Sequence, residues 1–324
     1  MMSEASIWER YWHYDRIASC FDGAGASNYD ESIGAGWRSF FKALPEGTRI
    51  VDLCAGNGAA ALIAAETGRR EGKAFEIVAV DQAEIDPPSY VTRHAEDFAA
   101  IQFRGATSVE SLPFPDARFD AAISQYGIEY SDFARSIPEL ARIVAPGGVA
   151  RLVVHAADGI VAAGSRAIIA EADLLLDRID LPGSARRCFE AVSAVERTPG
   201  ADAEARRLAD ESFAAFQTAL MLTARNIERA SDKTMFRNSG AVLLDTFNRR
   251  RHFDVAQLLA KTDEVHGEIH AHRGRLVALV EAALDQAEAD ALAEAMCRAG
   301  AKEARAAPLD NHDGLIAYVV EAQF

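Results

Sequence analysis

Cysteine is scarce and scattered. Cys20, Cys54, Cys188 and Cys297 are the whole complement, and no two sit at the short spacing of a zinc ligand pair or a disulfide framework. Reduced thiols in a cytoplasmic protein are the expectation. Positive charge is also short, with 34 Lys and Arg against 49 Asp and Glu and a formal net charge of −15. Such a surface repels phosphate backbones and anionic membrane faces, which argues against nucleic acid or membrane as partner. No apolar run reaches the length of a bilayer span, and Met1-Met2-Ser3-Glu4 lacks the basic and apolar regions of a secretory signal. Tryptophan is missing from residue 38 onward, since Trp8, Trp12 and Trp37 are the only three. What is present is an ordinary globular balance of 49% hydrophobic and 26% charged residues over 324 positions. That is enough for one large α/β domain or a domain carrying an insertion.

Trp8, Tyr11 and Trp12 recur at helical spacing and predict a helix lying on an apolar surface, broken by the Gly-Ala-Gly-Ala-Ser run that starts at Gly23. From Arg49 the pattern alternates. Ile50-Val51-Asp52-Leu53 reads as a strand, and the alanine-rich residues 59–66 as a helix, with Gly72 closing the unit. Ile77-Val78-Ala79-Val80, Ile101-Gln102-Phe103 and residues 119–124 read as further strands. A helix then runs through Leu140, and Pro146-Gly147-Gly148 is expected to turn the chain into a fifth strand over residues 150–155. Strand and helix in alternation predict a parallel sheet covered on both faces.

The alternation stops there. Residues 157–286 show helical periodicity, with Phe213, Phe216, Leu220 and Ile227 on one helix face. Strand signals return weakly over residues 301–308 and clearly over residues 315–321. The six residues Leu309-Asp310-Asn311-His312-Asp313-Gly314 are read as the turn of a hairpin, so the last strand should run antiparallel.

Chemistry concentrates in a strand, a glycine turn and a helix, with Asp81 at the end of the next strand. Gly56 and Gly58 permit a tight turn and a close backbone approach to a ligand. A carboxylate at Asp81 can accept both hydroxyls of a ribose. These residues indicate a nucleoside ligand without saying which. Gly56-Asn57-Gly58-Ala59-Ala60-Ala61 also fits the G-x-G-x-x-A pattern of an NAD(P)-dependent oxidoreductase.

Further segments bear on that choice. Val51-Asp52-Leu53-Cys54-Ala55-Gly56-Asn57-Gly58 resembles the first motif of class I S-adenosylmethionine-dependent methyltransferases. Ser108-Val109-Glu110-Ser111-Leu112-Pro113-Phe114-Pro115-Asp116, followed by Arg118-Phe119-Asp120, resembles the segment before that family's fourth strand, nearest to its quinone-biosynthesis branch. Ile137-Pro138-Glu139-Leu140-Ala141-Arg142-Ile143-Val144-Ala145-Pro146-Gly147-Gly148 is similar to the helix and turn before its fifth strand. The resemblance covers residues 49–156 and, by pattern, residues 288–324.

It implies an α/β, Rossmann-like, seven-stranded, mostly parallel sheet with an antiparallel last strand. The expected layout is an aromatic helical lid (1–48), a cofactor-binding core (49–156), a large helical insertion (157–286), and a closing helix with hairpin (287–324). The insertion is expected to cap the pocket, to form a homodimer interface, or both. The implied cofactor is S-adenosylmethionine, with S-adenosylhomocysteine as product. Asp52, Cys54, Ala55, Gly56 and Gly58 would face its methionine part, Asp81 its ribose, and Gln82, Ser108 and Val109 its adenine. Gln125 would close the pocket, and Tyr14 would reach over from the lid, with Tyr11 and Tyr29 as alternatives.

Two positions depart from the family. Cys54 replaces the first glycine of the turn, which the turn can absorb if that residue avoids positive φ. Ser108 stands where many relatives place an acid for the adenine amino group. The family's Asn-Pro-Pro-Tyr motif for amine methylation is absent, leaving a small-molecule acceptor, most plausibly an oxygen. His155 at the end of the fifth strand is then either a base for that acceptor or a packing histidine. Tyr126, Glu129 and Tyr130 are candidates for the acceptor pocket. A protein that binds the cofactor without turnover is the third reading. His266, His270 and His272 with Glu264 and Glu268 read as a solvated helix face, and Arg249-Arg250-Arg251 as a surface run.

Overall fold

The computed structural model describes residues 8, 11–13, 17–18, 28–29 and 31–324. Its elements run in the order α1 (Glu31–Ala43), β1 (Arg49–Leu53), α2 (Ala59–Glu71), β2 (Glu76–Val80), two one-turn helices, β3 (Ile101–Arg104) and β4 (Phe119–Gln125). A 3-10 turn (Ile128–Tyr130), α3 (Phe133–Ile143) and β5 (Val144–His155) follow. Helices α4 (Ile160–Asp173), α5 (Leu181–Arg197), α6 (Ala203–Asn226), α7 (Lys233–Asn248) and α8 (Val255–Ala282) come next. Then α9 (Gln286–Arg298), β6 (Glu303–Asn311) and β7 (Gly314–Gln323) complete the chain. Two compact units result, residues 1–163 with 278–324, and residues 164–277.

The first unit holds one seven-stranded sheet in the order β3-β2-β1-β4-β5-β7-β6. β7 pairs antiparallel with both β5 and β6, whereas the pairs among β1 to β5 are parallel. This is the sheet expected from the sequence. Side chains alternate between two cores, as a period of two requires. Val51, Leu53, Val78 and Val80 face α3 and α9 through Ile137, Leu140, Leu292 and Met296. Ile50, Ile77, Ala79 and Ile123 face α1 and α2 through Ile33, Trp37, Phe41 and Leu62. Helix α2 is alanine-rich because it is buried nearly all round, from Ala59 to Ala65. Small side chains let its backbone lie close to the sheet.

The order jumps from β1 to β4 at the middle of the sheet. Loops leaving these neighbouring strands go to opposite sides, and a crevice opens at their carboxyl ends. Ser124, fully buried, fastens that point. Its hydroxyl donates to the Leu53 carbonyl at 2.8 Å and accepts the Ile128 N–H at 3.1 Å. Farther along the edge the Leu284 N–H donates to the His155 carbonyl at 2.9 Å, so the returning chain is pinned at the end of β5.

Two expectations are corrected. β5 starts at Val144, and Pro146-Gly147-Gly148 is an irregularity within it: the register against β4 shifts between Phe119 and Ala121, and the Gly147 N–H donates to the Phe324 carbonyl at 2.7 Å. Pairing thus begins before the expected turn, which is kept as a bulge where Gly147 takes φ +85°. The C-terminal hairpin is tighter than the six-residue turn, because Asn311 and Gly314 pair across His312 and Asp313. The Asn311 side chain closes it by accepting the N–H groups of Asp313 and Gly314 at 2.8 and 3.1 Å.

The second unit is helical and has its own core. Phe189, Phe216, Phe236 and Leu243 are buried at its centre, with Phe213, Leu220, Ile227 and Phe247 packed against them. Asp202 and Asp232 start α6 and α7 by accepting the N–H groups of Ala205 and Met235, each at 2.8 Å, the short-acid cap that frees no other partner for those groups. Arg249 is paired with Asp245, and Arg250 and Arg251 with Glu196. Among the described residues no helix is long and apolar enough to cross a membrane.

Replacing Ser124 with alanine leaves the Leu53 carbonyl and the Ile128 N–H buried without their partner. A loss of about 1–3 kcal/mol is expected, read as a lower midpoint in urea unfolding with an unchanged slope.

Candidate functional site

The site grows from the bend between β1 and α2. Cys54, Gly56 and Gly58 all take positive φ, at 57°, 53° and 77°. The two glycines do this without a Cβ penalty. A Cβ on Gly56 would stand 2.4 Å from a carbon of the Trp12 indole, so glycine here also admits a ring against the backbone. The condition set for Cys54 is not met: it lies in the left-handed region, where a side chain costs about 1 kcal/mol or more. Space for its side chain comes from Gly127, whose own Cβ would fall 2.5 Å from the Cys54 Cβ.

Two carboxylates hold the bend. Asp81 Oδ2 accepts the Gly56 N–H and Asp81 Oδ1 the Ala83 N–H, both at 2.8 Å. Each oxygen keeps a lone pair for a further donor. Burial raises the Asp81 pKa against the pull of those two N–H groups. Asp52 lies on the α2 face of β1, 1% exposed, and its Oδ2 accepts the Ala61 N–H at 3.0 Å. Desolvation raises its pKa to about 8, with the Ala61 N–H opposing and the charge of Asp81 adding. Burial, with Asp81, Glu129, Asp52 and Glu110 nearby, likewise pushes the Cys54 thiol up. A neutral thiol is a poor nucleophile.

Two cavities flank this bend. The larger, of about 160 Å³, is lined by Trp8, Trp12, Cys54, Asp81, Gln82, Ala83, Ser108, Val109 and Glu110 on one side. Tyr126, Gly127, Tyr130 and Ser131 line the other. The smaller, of about 20 Å³, lies among Asp52, Ala55, Ala59, Ala60, Gln125 and Tyr29. Gln125 is set by Trp37, whose indole N–H donates to Oε1 at 2.6 Å. Its Nε2 is buried and has no hydrogen-bond partner among the described residues. Trp12 is held over the bend by its carbonyl, which accepts from Asn57 Nδ2 at 2.9 Å, and packs with Ala83 and Ile85.

The sequence candidates therefore gather in one place. Asp52, Ala55 and Gln125 line the smaller cavity, Asp81, Gln82, Ser108 and Val109 the larger, and Cys54 both. Gly56 and Gly58 shape the turn between them. Ser108 Oγ accepts the Glu110 N–H at 3.2 Å, bracing its own loop. Tyr14 lies outside the described residues.

His155, open between a base for the acceptor and a packing histidine, is packed behind the cavity wall. It is 1% exposed and lines neither cavity. Its backbone N–H and Nδ1 both donate to Glu129 Oε1, at 3.0 and 2.7 Å. Its ring stacks on Tyr126 at 4.0 Å between centroids and meets Tyr130 edge-on at 6.2 Å. Tyr126 and Tyr130 take the lining positions, and His155 with Glu129 sits one layer behind them. Reading from sequence missed Trp12 as a wall of the crevice, and Trp37 as the group that orients Gln125. The helical spacing of Trp8 and Trp12 was the only signal, and it did not say where that face would dock.

Residues 50–148 match the methyltransferase domain family. That match covers under a third of the chain. Among curated relatives, demethylmenaquinone methyltransferase of Thermus thermophilus is 36% identical over 108 residues, 33% of this chain and 46% of that protein. The 2-phytyl-1,4-naphtoquinone methyltransferase of Synechococcus elongatus is 27% identical over 150 residues, 43% of this chain and 60% of that protein. The match thus spans about half the length of those relatives. A solved structure, the Burkholderia thailandensis 1,6-didemethyltoxoflavin-N1-methyltransferase, is 20% identical with a TM-score of 0.35, covering 48% of this chain and 64% of its own. The matched stretch contains the glycine bend, Asp81 and the β4 end, and leaves the helical unit outside.

The close approach of Cys54 and Gly127 is testable by a double-mutant cycle. Gly127→Ala should lose more than about 1 kcal/mol of stability. Adding Cys54→Gly should recover part of that loss in chemical unfolding, whereas additive effects would show the two positions to be independent.

Proposed function

We propose that this chain transfers a methyl group from S-adenosylmethionine to a small, flat acceptor, releasing S-adenosylhomocysteine. The supporting observation is the pair of cavities that share Trp12, Cys54 and Tyr126 as lining. One offers the Asp81 carboxylate beside the apolar walls Ala83 and Val109, and the other a buried acid, Asp52, with the amide nitrogen of Gln125. A nucleoside joined to an amino acid calls for both: acceptors for ribose hydroxyls, apolar faces for a base, an acid for an ammonium and a donor for a carboxylate. A dinucleotide fits poorly. Asp52, Asp81 and Glu110 line the cavities and, among the described lining residues, no Lys, Arg or His offsets them for a pyrophosphate.

When bound, the cofactor supplies a methyl group already activated on a sulfonium. The protein's work is to bind, orient and exclude water. Asp81 would hold the ribose, with Gln82, Ser108 and Val109 at the adenine. Asp52 and Gln125 would hold the amino-acid end. Trp8, Tyr126 and Tyr130 present ring surfaces on the remaining side, which suits a planar acceptor, and the relatives named for quinone methylation are in keeping with one. The finer reading is an acceptor oxygen carried on such a ring. His155, with its Nδ1 proton held by Glu129, acts through Tyr126 as a positioning residue. The cavities as they stand are smaller than the roughly 300–1,000 Å³ of common small-molecule sites, so their lining opens when ligands enter.

The experiment is calorimetric titration with S-adenosylhomocysteine and, separately, with NAD. Micromolar or tighter binding of the first and none of the second is expected. Tight NAD binding would instead support the oxidoreductase reading. Asp81→Ala should weaken S-adenosylhomocysteine at least about tenfold, the cost of one charge-assisted bond of about 1.5 kcal/mol. Binding without methyl release to any hydroxyaromatic compound would favour a protein without turnover.

The raised Asp52 pKa gives a pH dependence with a definite sign. In the free protein the carboxyl is protonated below about 8, and an ammonium partner draws it to the carboxylate. A proton is released on binding, so affinity should rise with pH from 6 towards 8, by up to about tenfold per unit. The heat should also vary with buffer ionisation enthalpy. Asp52→Asn should abolish both effects.

A further inference from the structure

Three side chains line both cavities: Trp12, Cys54 and Tyr126. If the nucleoside occupies the larger cavity and the amino-acid end the smaller, the atom joining them passes between these three. That atom is the sulfur. The inference rests on the cofactor reading above and concerns what meets the sulfur's charge.

Tyr126 is built into that position at a cost. Its φ is +57°, a left-handed conformation that a bulky side chain rarely adopts. Several contacts outweigh the strain. Its N–H donates to the Val153 carbonyl at 2.8 Å, and its hydroxyl to the Ile316 carbonyl at 3.2 Å. The Tyr29 ring meets it edge-on at 6.1 Å. One face of Tyr126 is covered by the His155 ring, nearly parallel at 15°, and the Glu129 carboxylate sits at the edge of that imidazole, in hydrogen bond with Nδ1. A carboxylate bonded to the stacked pair adds negative potential around it, which favours positive charge beside the phenol ring. Cys54, the neighbour at the junction, is kept a neutral thiol and competes for neither the charge nor the methyl group.

We propose that the Tyr126 ring recognises the positive charge at the reacting sulfur, so that this site distinguishes the sulfonium cofactor from its neutral thioether product. The interaction is cation–π in kind. It is lost as the methyl group leaves, which weakens the hold on the product. Tyr126 is a specificity-determining residue, and Glu129 with His155 the group that fixes its ring.

The test compares affinities for S-adenosylmethionine and S-adenosylhomocysteine by calorimetry on the full chain at one pH. Tyr126→Leu should weaken S-adenosylmethionine by about tenfold and leave S-adenosylhomocysteine nearly unchanged, while Tyr126→Phe should preserve the ratio. Should the leucine variant not fold, progressively fluorinated phenylalanines at position 126 keep the ring's size and withdraw its charge density. S-adenosylmethionine affinity should then fall with each fluorine and S-adenosylhomocysteine affinity should not. Equal weakening of both ligands, or no weakening of either, would overturn the proposal. Failure of the unmodified protein to bind either ligand would instead overturn the cofactor reading, and this inference with it.

Discussion

The crevice depends on two buried carboxylates that accept backbone N–H groups where the chain bends most sharply. Asp81 ties the Gly56 amide of one strand end to the Ala83 amide of the next, and Asp52 takes the Ala61 amide in the first turn of α2. A buried carboxyl without partners is expensive, and so is an unpaired amide at a helix start. Each satisfies the other here. The bend is thereby fixed to the sheet, and the lone pairs left over point to where a ligand can use them.

The same arrangement works against stability. Acids crowd the crevice with no basic side chain among the described lining residues, and the Asp52 pKa is pushed up to about 8 because its charge has nowhere to go. Cys54 and Tyr126 stand in left-handed conformations on either side of the junction. Strain and unbalanced charge of this kind persist where the surrounding packing over-determines them. Here that packing is the pair of cores on the two faces of the sheet, which bury the strands adjoining the bend completely.

Aromatic side chains arranged in layers make the other wall. Tyr126 and Tyr130 form the inner layer, and His155 with Glu129 the outer one. The imidazole is held in one tautomer by a carboxylate that also accepts the backbone N–H of the same residue. One histidine at a strand end thus serves as structure for the rings in front of it.

Local pattern in the sequence determined a good deal. The period of two in the strands, the glycines of the bend and the acid after β2 are readable because each depends on neighbours within a few residues. The alternation of strands and helices and the antiparallel last strand followed from them, whereas most of the crevice residues came from the resemblance to a known family. Tertiary structure decided the rest. Cys54 was read as needing a negative φ, yet Gly127, distant in sequence, leaves room for its side chain in the left-handed bend. Spacing alone leaves His155 open between a base and a packing residue, and Glu129 and Tyr126 draw it behind the wall. The fifth strand is expected to start after Pro146-Gly147-Gly148, whereas pairing begins at Val144 and the Phe324 carbonyl fastens the glycine bulge inside β5. In each case the deciding partner comes from another element of the sheet, and one-dimensional spacing carries no information about which side chain will arrive there.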